Sequence, residues 1–292
     1  MRTNRLLPVS AIVAALVLAS CSSEGDETAD LSGCEPAVSD DLLITPGTLT
    51  FSTNATLPPM QYVDGDEVVG MRVELVEEIA TRLCLETEVM NVPFDTQIPG
   101  VQSGRWDMIN TGMFYTEERA ETLALVPYEV QAVAISVSDG SESDIQSVED
   151  LAGLTIGVEA PGYEFDSVNA VNDELVAAGH EAITINTSLT NADAFQALSA
   201  GQIDGVAIVE AVTTFYQEDG RFATAISGLH PGPLAFGFAQ DNDGLADLVA
   251  QTYAEMVEDG FVEELFASYG VTPYPGPYEV TTGPITVEGG DA

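Results

Sequence analysis

The sequence predicts an α/β protein of two lobes. Three observations carry this. From residue 49 to residue 269, short apolar runs alternate with amphipathic stretches of helical period, the pattern of mostly parallel sheets covered by helices. The patterned span is longer than one small sheet needs. And the series restarts after a long apolar strand at 131–137.

The first series opens with a strand at 49–52 and a turn-rich loop at 53–59. A helix follows at 73–84, with Val76, Ile79, Ala80 and Leu83 on one face. Residues 86–92 are a strand. Phe94 and Asp95 begin a loop, and Asp95 is placed to cap a short helix holding Ile98 and Val101. A strand at 107–110 stops at Thr111-Gly112, and Thr116 opens another helix. In the second series Ser147 caps 148–151 and Gly153 stops it. Strands are expected at 155–158, 182–185, 206–209 and 234–238. Helices are expected at 164–178, 192–200, from 210, at 245–258 and at 261–269. The segment beyond Val271 carries four prolines and four glycines and shows no core of its own.

Charge narrows the partners. The 292 residues hold 48 acidic and seven basic side chains, a net charge of −41. All seven bases are arginines: Arg2, Arg5, Arg72, Arg82, Arg105, Arg119 and Arg221. Nucleic-acid binding is excluded, because phosphate neutralisation needs clustered Lys or Arg. A basic patch for anionic lipid is excluded on the same ground. The chain is nevertheless 45% hydrophobic, enough for a packed core, so the acidity concerns solubility rather than fold.

The N-terminus reads as a processing signal at 1–20. Arg2 and Arg5 precede a mostly apolar run at 6–20, too short to span a bilayer. It ends Leu18-Ala19-Ser20-Cys21, which resembles a bacterial lipobox, so Cys21 is the expected lipid attachment. Residues 21–45 read as a polar, acidic tether. Export permits a disulfide, and Cys34–Cys84 is the expected pair, two buried thiols being the alternative.

Ligand sites in such sheets lie at the carboxyl ends of strands. That rule selects residues 54–60, 94–95, 111–116, 159–163 and 209–210. His180 and His230 each stand alone and read as surface residues. The sequence holds no His-Glu-x-x-His, Cys-x-x-Cys or Gly-x-Ser-x-Gly pattern and no phosphate-binding glycine loop. No metal or cofactor is expected. Asp107 reads as a structural turn residue. Arg119 is anomalous: it follows Thr116-Glu117-Glu118 near a helix N-terminus, where the dipole disfavours a cation. It either pairs with a neighbouring glutamate or aims its planar fork at a ligand carboxylate. Phe94, Phe114 and Tyr163 fall in the selected loops, where three aromatics together favour a pocket wall.

Several stretches, in order, resemble extracellular solute-binding proteins, family 3, of ABC importers for polar amino acids. They are residues 53–60 (Thr-Asn-Ala-Thr-Leu-Pro-Pro-Met), 69–75 (Val-Gly-Met-Arg-Val-Glu-Leu), 92–95 (Val-Pro-Phe-Asp), 103–108 (Ser-Gly-Arg-Trp-Asp-Met), 112–120 (Gly-Met-Phe-Tyr-Thr-Glu-Glu-Arg-Ala), 151–158 and 201–205. The resemblance runs from about Thr48 to Gly270. It implies a two-lobed, type II periplasmic-binding-protein-like fold with a hinge. Lobe 1 would be 46–135 with 235–272, lobe 2 would be 136–234, and 273–292 would be a tail. It implies a monomer that closes on a small solute and hands it to permease subunits. By analogy Arg119 grips a ligand carboxylate, Thr111 and Gly112 offer polar contacts, and Asn54, Leu57 and Phe94 line the pocket.

Three departures bear on the ligand. Phe114 stands where the family often has Ser or Thr, and Pro161-Gly162-Tyr163 where it often has Gly-Thr-Thr. Val209 stands where an Asp usually binds the α-ammonium. Either Glu210 replaces that Asp, or a cation lies on the faces of Phe94, Phe114 or Tyr163. The expected ligand is a small amino acid or an amino-acid-like zwitterion; the acidic field disfavours an anion and suits a zwitterion or a net cation. An enzyme on the same scaffold, dehydratase-like with Glu210 or Glu159 as its acid, is the alternative. A sensory lipoprotein is a third reading.

Overall fold

A computed structural model describes residues 33–34, 37–218 and 220–281. The signal at 1–20, Cys21, most of the tether and residues 282–292 lie outside the described residues. Among the described residues no helix is long and apolar enough to cross a membrane.

Lobe 1 begins with β1 (Thr48–Thr53), followed by a small antiparallel sheet of β2 (Thr56–Leu57), β3 (Gln61–Asp64) and β4 (Glu67–Val69). Then come α1 (Met71–Arg82), β5 (Glu86–Asn91), α2 (Phe94–Gln102), β6 (Met108–Ile109) and the one-turn α3 (Glu117–Ala120). The long β7 (Leu123–Ser138) leads into lobe 2: β8 (Thr155–Glu159), α4 (Tyr163–Ala177), β9 (Thr184–Ser188), α5 (Asn191–Ser199), β10 (Gly205–Val209) and α6 (Glu210–Gln217). The equally long β11 (Phe222–Ala239) returns, and α7 (Asp243–Glu258), α8 (Phe261–Tyr269) and β12 (Thr272–Pro273) complete lobe 1.

Among the described residues the main sheet has nine strands in the order β5-β1-β6-β11-β7-β10-β8-β9, with β12 also pairing β7. Its two ends are parallel, as expected: β1 pairs β5 and β6, and β8 pairs β9 and β10. Its middle is antiparallel, formed by β7 and β11 and their neighbours. The reading of the sheets as mostly parallel therefore covers the two ends only, and the crossing strands are far longer than 131–137 and 234–238. Their missing halves hold Pro127, Glu129, Gly228, Pro231, Gly232 and Pro233, which read as turn or polar residues. The ladder accommodates them with four register shifts, where bulges bend strands and relax pairing.

Apolar faces do the packing. In lobe 1, Leu75, Val76 and Ile79 of α1 join Val249, Tyr253 and Met256 of α7 and Phe266 of α8 against Phe51, Phe236 and Phe238. On the opposite face Val101, Trp106, Met113 and Leu123 form a smaller cluster beneath Phe94. In lobe 2, Val168, Val171 and Leu175 of α4 cover Ile135, Ile156 and Val158.

Several local expectations change. Asp95 does not cap α2; Pro93 occupies that position without a side-chain bond, and Asp95 lies in the first turn. Thr116 does cap α3, accepting from the Arg119 N–H at 3.2 Å. The Ser147 cap also forms, as a box with Asp150 around a short 3-10 turn. Asp107 is structural: its carboxylate accepts from Ile44 N and Thr50 N, each at 2.8 Å. His230 is half-buried rather than a surface residue, its Nδ1 lying 2.6 Å from Ser167 Oγ. Cys34 and Cys84 form a disulfide with Cα atoms 5.6 Å apart. The Pro/Gly segment, as far as Thr281, borrows lobe 1's core: Tyr274 N bonds Tyr128 O at 3.0 Å and Thr281 N bonds Leu125 O at 2.8 Å.

Candidate functional site

Strand ends of both lobes face one cleft with about 50 Å³ of free internal space. Lobe 1 contributes Asn54, Leu57, Phe94, Thr111, Gly112, Phe114 and Arg119. Lobe 2 contributes Glu159, Pro161, Gly162, Tyr163, Glu164, Asn191 and Val209.

The lobe 1 wall rests on a buried polar framework. Thr111 Oγ1 accepts from Asn54 N at 2.8 Å and from Gln97 Nε2 at 3.2 Å. Gln61 Nε2 donates to Thr111 O at 2.9 Å, and Gln61 Oε1 accepts from Arg72 Nη1 at 2.8 Å. Arg72 is 1% exposed and forks onto Glu129, which is fully buried, at 3.0 and 2.9 Å. Burial pulls the Arg72 guanidinium down, but Glu129 outweighs it and holds the cation above its ordinary range. Gly112 is required here: its φ is +72° and a Cβ would strike the Arg72 guanidinium.

Arg119 is set by the capped turn of α3. Its Nη1 donates to Phe114 O and its guanidinium lies 5.4 Å from the centre of the Phe94 ring, a cation–π distance. Among the described residues it has no salt-bridge partner, so of the two readings of this arginine the local pair with Glu117 or Glu118 is not formed. Burial lowers its pKa, opposed by Glu164, Asp166 and Glu118.

The lobe 2 wall carries the opposite charge. Glu159, at the end of β8, accepts through Oε2 from Asn191 N at 3.1 Å and Asn191 Nδ2 at 2.9 Å. Burial, then the charge of Glu164, push its carboxyl up to about 7, against the Asn191 hydrogen bond. Glu164, in the first turn of α4, is also raised by burial, with Arg119 opposing. Tyr163 stacks on Phe114 across the cleft, centroids 3.8 Å apart and planes 12° apart. Its hydroxyl donates to His230 O at 2.9 Å.

Eight of the residues selected from sequence thus meet in one cleft: Asn54, Leu57, Phe94, Thr111, Gly112, Phe114, Arg119 and Tyr163. Glu210 does not. It starts α6, and its carboxylate turns outward to accept from Gly228 N at 3.3 Å. Val209 alone represents that strand end in the cleft. Glu164 and Asn191 were not selected. Asn191 would have been, had the β9 strand been placed at its true end, Ser188. Glu164 looks like any acid favouring a helix N-terminus.

The family profile of bacterial extracellular solute-binding proteins, family 3, matches residues 49–272. The chain is 26% identical to the arginine-binding protein ArgT of Corynebacterium glutamicum, over 90% of each chain. It is 26% identical to the arginine-binding extracellular protein ArtP of Bacillus subtilis, over 74% of this chain and 84% of that one. Among solved structures it is similar to an ancestral arginine-binding protein bound to arginine, at 28% identity and a TM-score of 0.69, covering 76% of this chain and 98% of the other. With more than half of its length matched, a two-lobed α/β architecture and a cleft between the lobes, the chain belongs to the bacterial extracellular solute-binding proteins, family 3.

Proposed function

We propose that this chain is the receptor of an ABC importer for a cationic amino acid, with L-arginine the first candidate. The observation that carries the reading is the charge layout of the cleft: one guanidinium, Arg119, with no ion-pair partner among the described residues, on the lobe 1 wall, and two carboxylates, Glu159 and Glu164, on the lobe 2 wall. A ligand with one carboxylate and two cationic groups complements that set. Its carboxylate goes to Arg119, where a planar fork makes two charge-assisted bonds. Its cations go to Glu159 and Glu164, which stand in for the Asp whose place Val209 occupies. Phe94 and the Phe114–Tyr163 stack supply apolar walls. The arginine-binding names of ArgT and ArtP support the same class.

The lobes are taken as 46–135 with 235–272, and 136–234. The protein is taken as a monomer anchored through lipid on Cys21 to the outer face of the membrane, handing solute to permease subunits.

Proton linkage tests the reading. Glu159, beside Glu164, Asp193, Asn191 and Tyr216, titrates near 7 when no cation neutralises it. A bound cation favours its ionised form, so binding releases protons and strengthens as pH rises through 7. Between pH 6 and pH 8 the affinity for L-arginine is expected to rise by up to about tenfold, with up to about one proton released per ligand. Calorimetry in buffers of different ionisation enthalpy reads both. Glu159→Gln is expected to flatten the profile; a flat wild-type profile contradicts the assignment of Glu159.

One observation favours the enzymatic alternative, now with Glu159 rather than Glu210 as its acid: a carboxyl titrating near 7 in a cleft suits general acid catalysis. Turnover of a bound cyclic carboxylate, lost in Glu159→Gln, would support it.

A further inference from the structure

We infer that Gln131 is a positioning residue that ties the two walls of the cleft together through the hinge. The buried framework under lobe 1 does not end at Glu129. Glu129 Oε1, besides binding Arg72, accepts from Gln131 Nε2 at 2.7 Å. Gln131 Oε1 then accepts from the backbone N–H of Ala211 at 3.1 Å. Ala211 lies in the first turn of α6, directly after Val209 and Glu210. A continuous relay therefore runs Thr111–Gln61–Arg72–Glu129–Gln131–Ala211, beneath the cleft, from the lobe 1 wall to the start of the lobe 2 helix that follows Val209. The four side chains between its backbone ends, Gln61, Arg72, Glu129 and Gln131, are all buried.

Two features place the weight on Gln131. The first is its position. In the β7–β11 ladder it faces Gly232, next to Pro233 opposite Val130, and register shifts flank this stretch at Leu229/Gly232 and Leu234/Ala235. Proline donates no ladder bond and bulges leave residues unpaired. The backbone is thus weakly tied where the chain passes between lobes, and side-chain bonds count for more. The second is the role of the amide. First-turn N–H groups lack intrahelical partners, and Val209, at the cap position of α6, has no side-chain acceptor. Gln131 satisfies Ala211 from outside the helix. One amide donates to lobe 1 and accepts from lobe 2, so it holds both bonds in one relative orientation of the lobes. That orientation is the one in which Phe114 stacks on Tyr163. Favouring it raises apparent affinity, because the population of the competent state enters the dissociation constant.

Gln131→Leu keeps the approximate volume and removes both bonds. It is expected to weaken L-arginine binding about tenfold, mainly through faster dissociation in stopped flow. By small-angle scattering the ligand-free variant should have a larger radius of gyration than wild type, with L-arginine restoring the smaller one. Asn172→Ala serves as control. It removes a hydrogen bond within lobe 2, to Ile183 N at 2.8 Å, and should lower the melting temperature without moving radius or dissociation rate. The inference is overturned if Gln131→Leu moves neither quantity, or moves them no further than Asn172→Ala. Should the leucine variant fail to fold, Gln131→Asn retracts the amide by one methylene and carries the same expectation. The ligand-free radius decides the matter even if L-arginine binds neither protein, an outcome that would count against the proposed ligand instead.

Discussion

Replacing Arg119 with alanine is expected to weaken binding of L-arginine severely. Truncating one partner of a desolvated, hydrogen-bonded charge pair costs about 2–5 kcal/mol, which is roughly 30-fold to several thousandfold in affinity. The loss has two parts. The ligand carboxylate forfeits its only cationic partner on the wall, since the other cleft-lining charges, Glu159 and Glu164, are acidic. It is also left facing those carboxylates without compensation. Arg119→Lys is expected to recover little, because a point charge replaces a fork and its contact with the Phe94 face. The fold should survive, as Arg119 makes no ion pair with described residues and its backbone cap to Thr116 is retained. Calorimetry and thermal shift check both statements. Unchanged affinity in Arg119→Ala would remove the carboxylate anchor from the account.

Glu129→Leu is expected to be the most destabilising single change in lobe 1, by about 3–5 kcal/mol. It leaves Arg72 charged and buried, with Gln61 as its remaining side-chain partner. Arg72→Met should cost a similar amount by stranding Glu129. The double variant should be markedly less destabilised than the sum, because a buried ion pair gains little over well-packed apolar groups once desolvation is counted. Urea unfolding of the four proteins measures the coupling. Additive losses, or a single-variant cost under about 1 kcal/mol, would show that the pair is not the buried keystone described. Since the relay passes through this pair to Gln131, surviving single variants should also bind ligand less tightly.

How much of this could be read from sequence follows from where signals are local. Helices α1, α4, α5, α7 and α8 announce themselves by periodicity, and the parallel strands at either end of the sheet by short apolar runs. The lobe 1 wall of the cleft was legible for a related reason: Asn54, Phe94, Thr111 and Phe114 sit where strands end, and Arg119 conflicts with its helix position. The long strands β7 and β11 were legible only in their apolar halves, because Pro127, Glu129, Pro231 and Pro233 serve tertiary needs that local pattern does not encode. The lobe 2 wall was harder still. Among 48 acids, Glu164 has no distinguishing sequence mark, and Glu210 looked suitable only because it adjoins Val209. Which of the two adjacent residues faces the cleft depends on where β10 ends and α6 begins, and that boundary turns Glu210 away. Gln131 is the least legible of all, since its meaning lies in Glu129 two residues back and Ala211 eighty residues on.

The central claim is that two lobe 2 carboxylates select a ligand carrying two cations. Paired calorimetric titrations with L-arginine and L-citrulline at pH 8 test it directly, because citrulline keeps the size and the α-amino acid but lacks the side-chain charge. Arginine is expected to bind saturably and one to one, and citrulline to bind at least about tenfold more weakly, the scale of one lost charge-assisted contact. Equal affinity for the two, or tighter binding of citrulline, would contradict it.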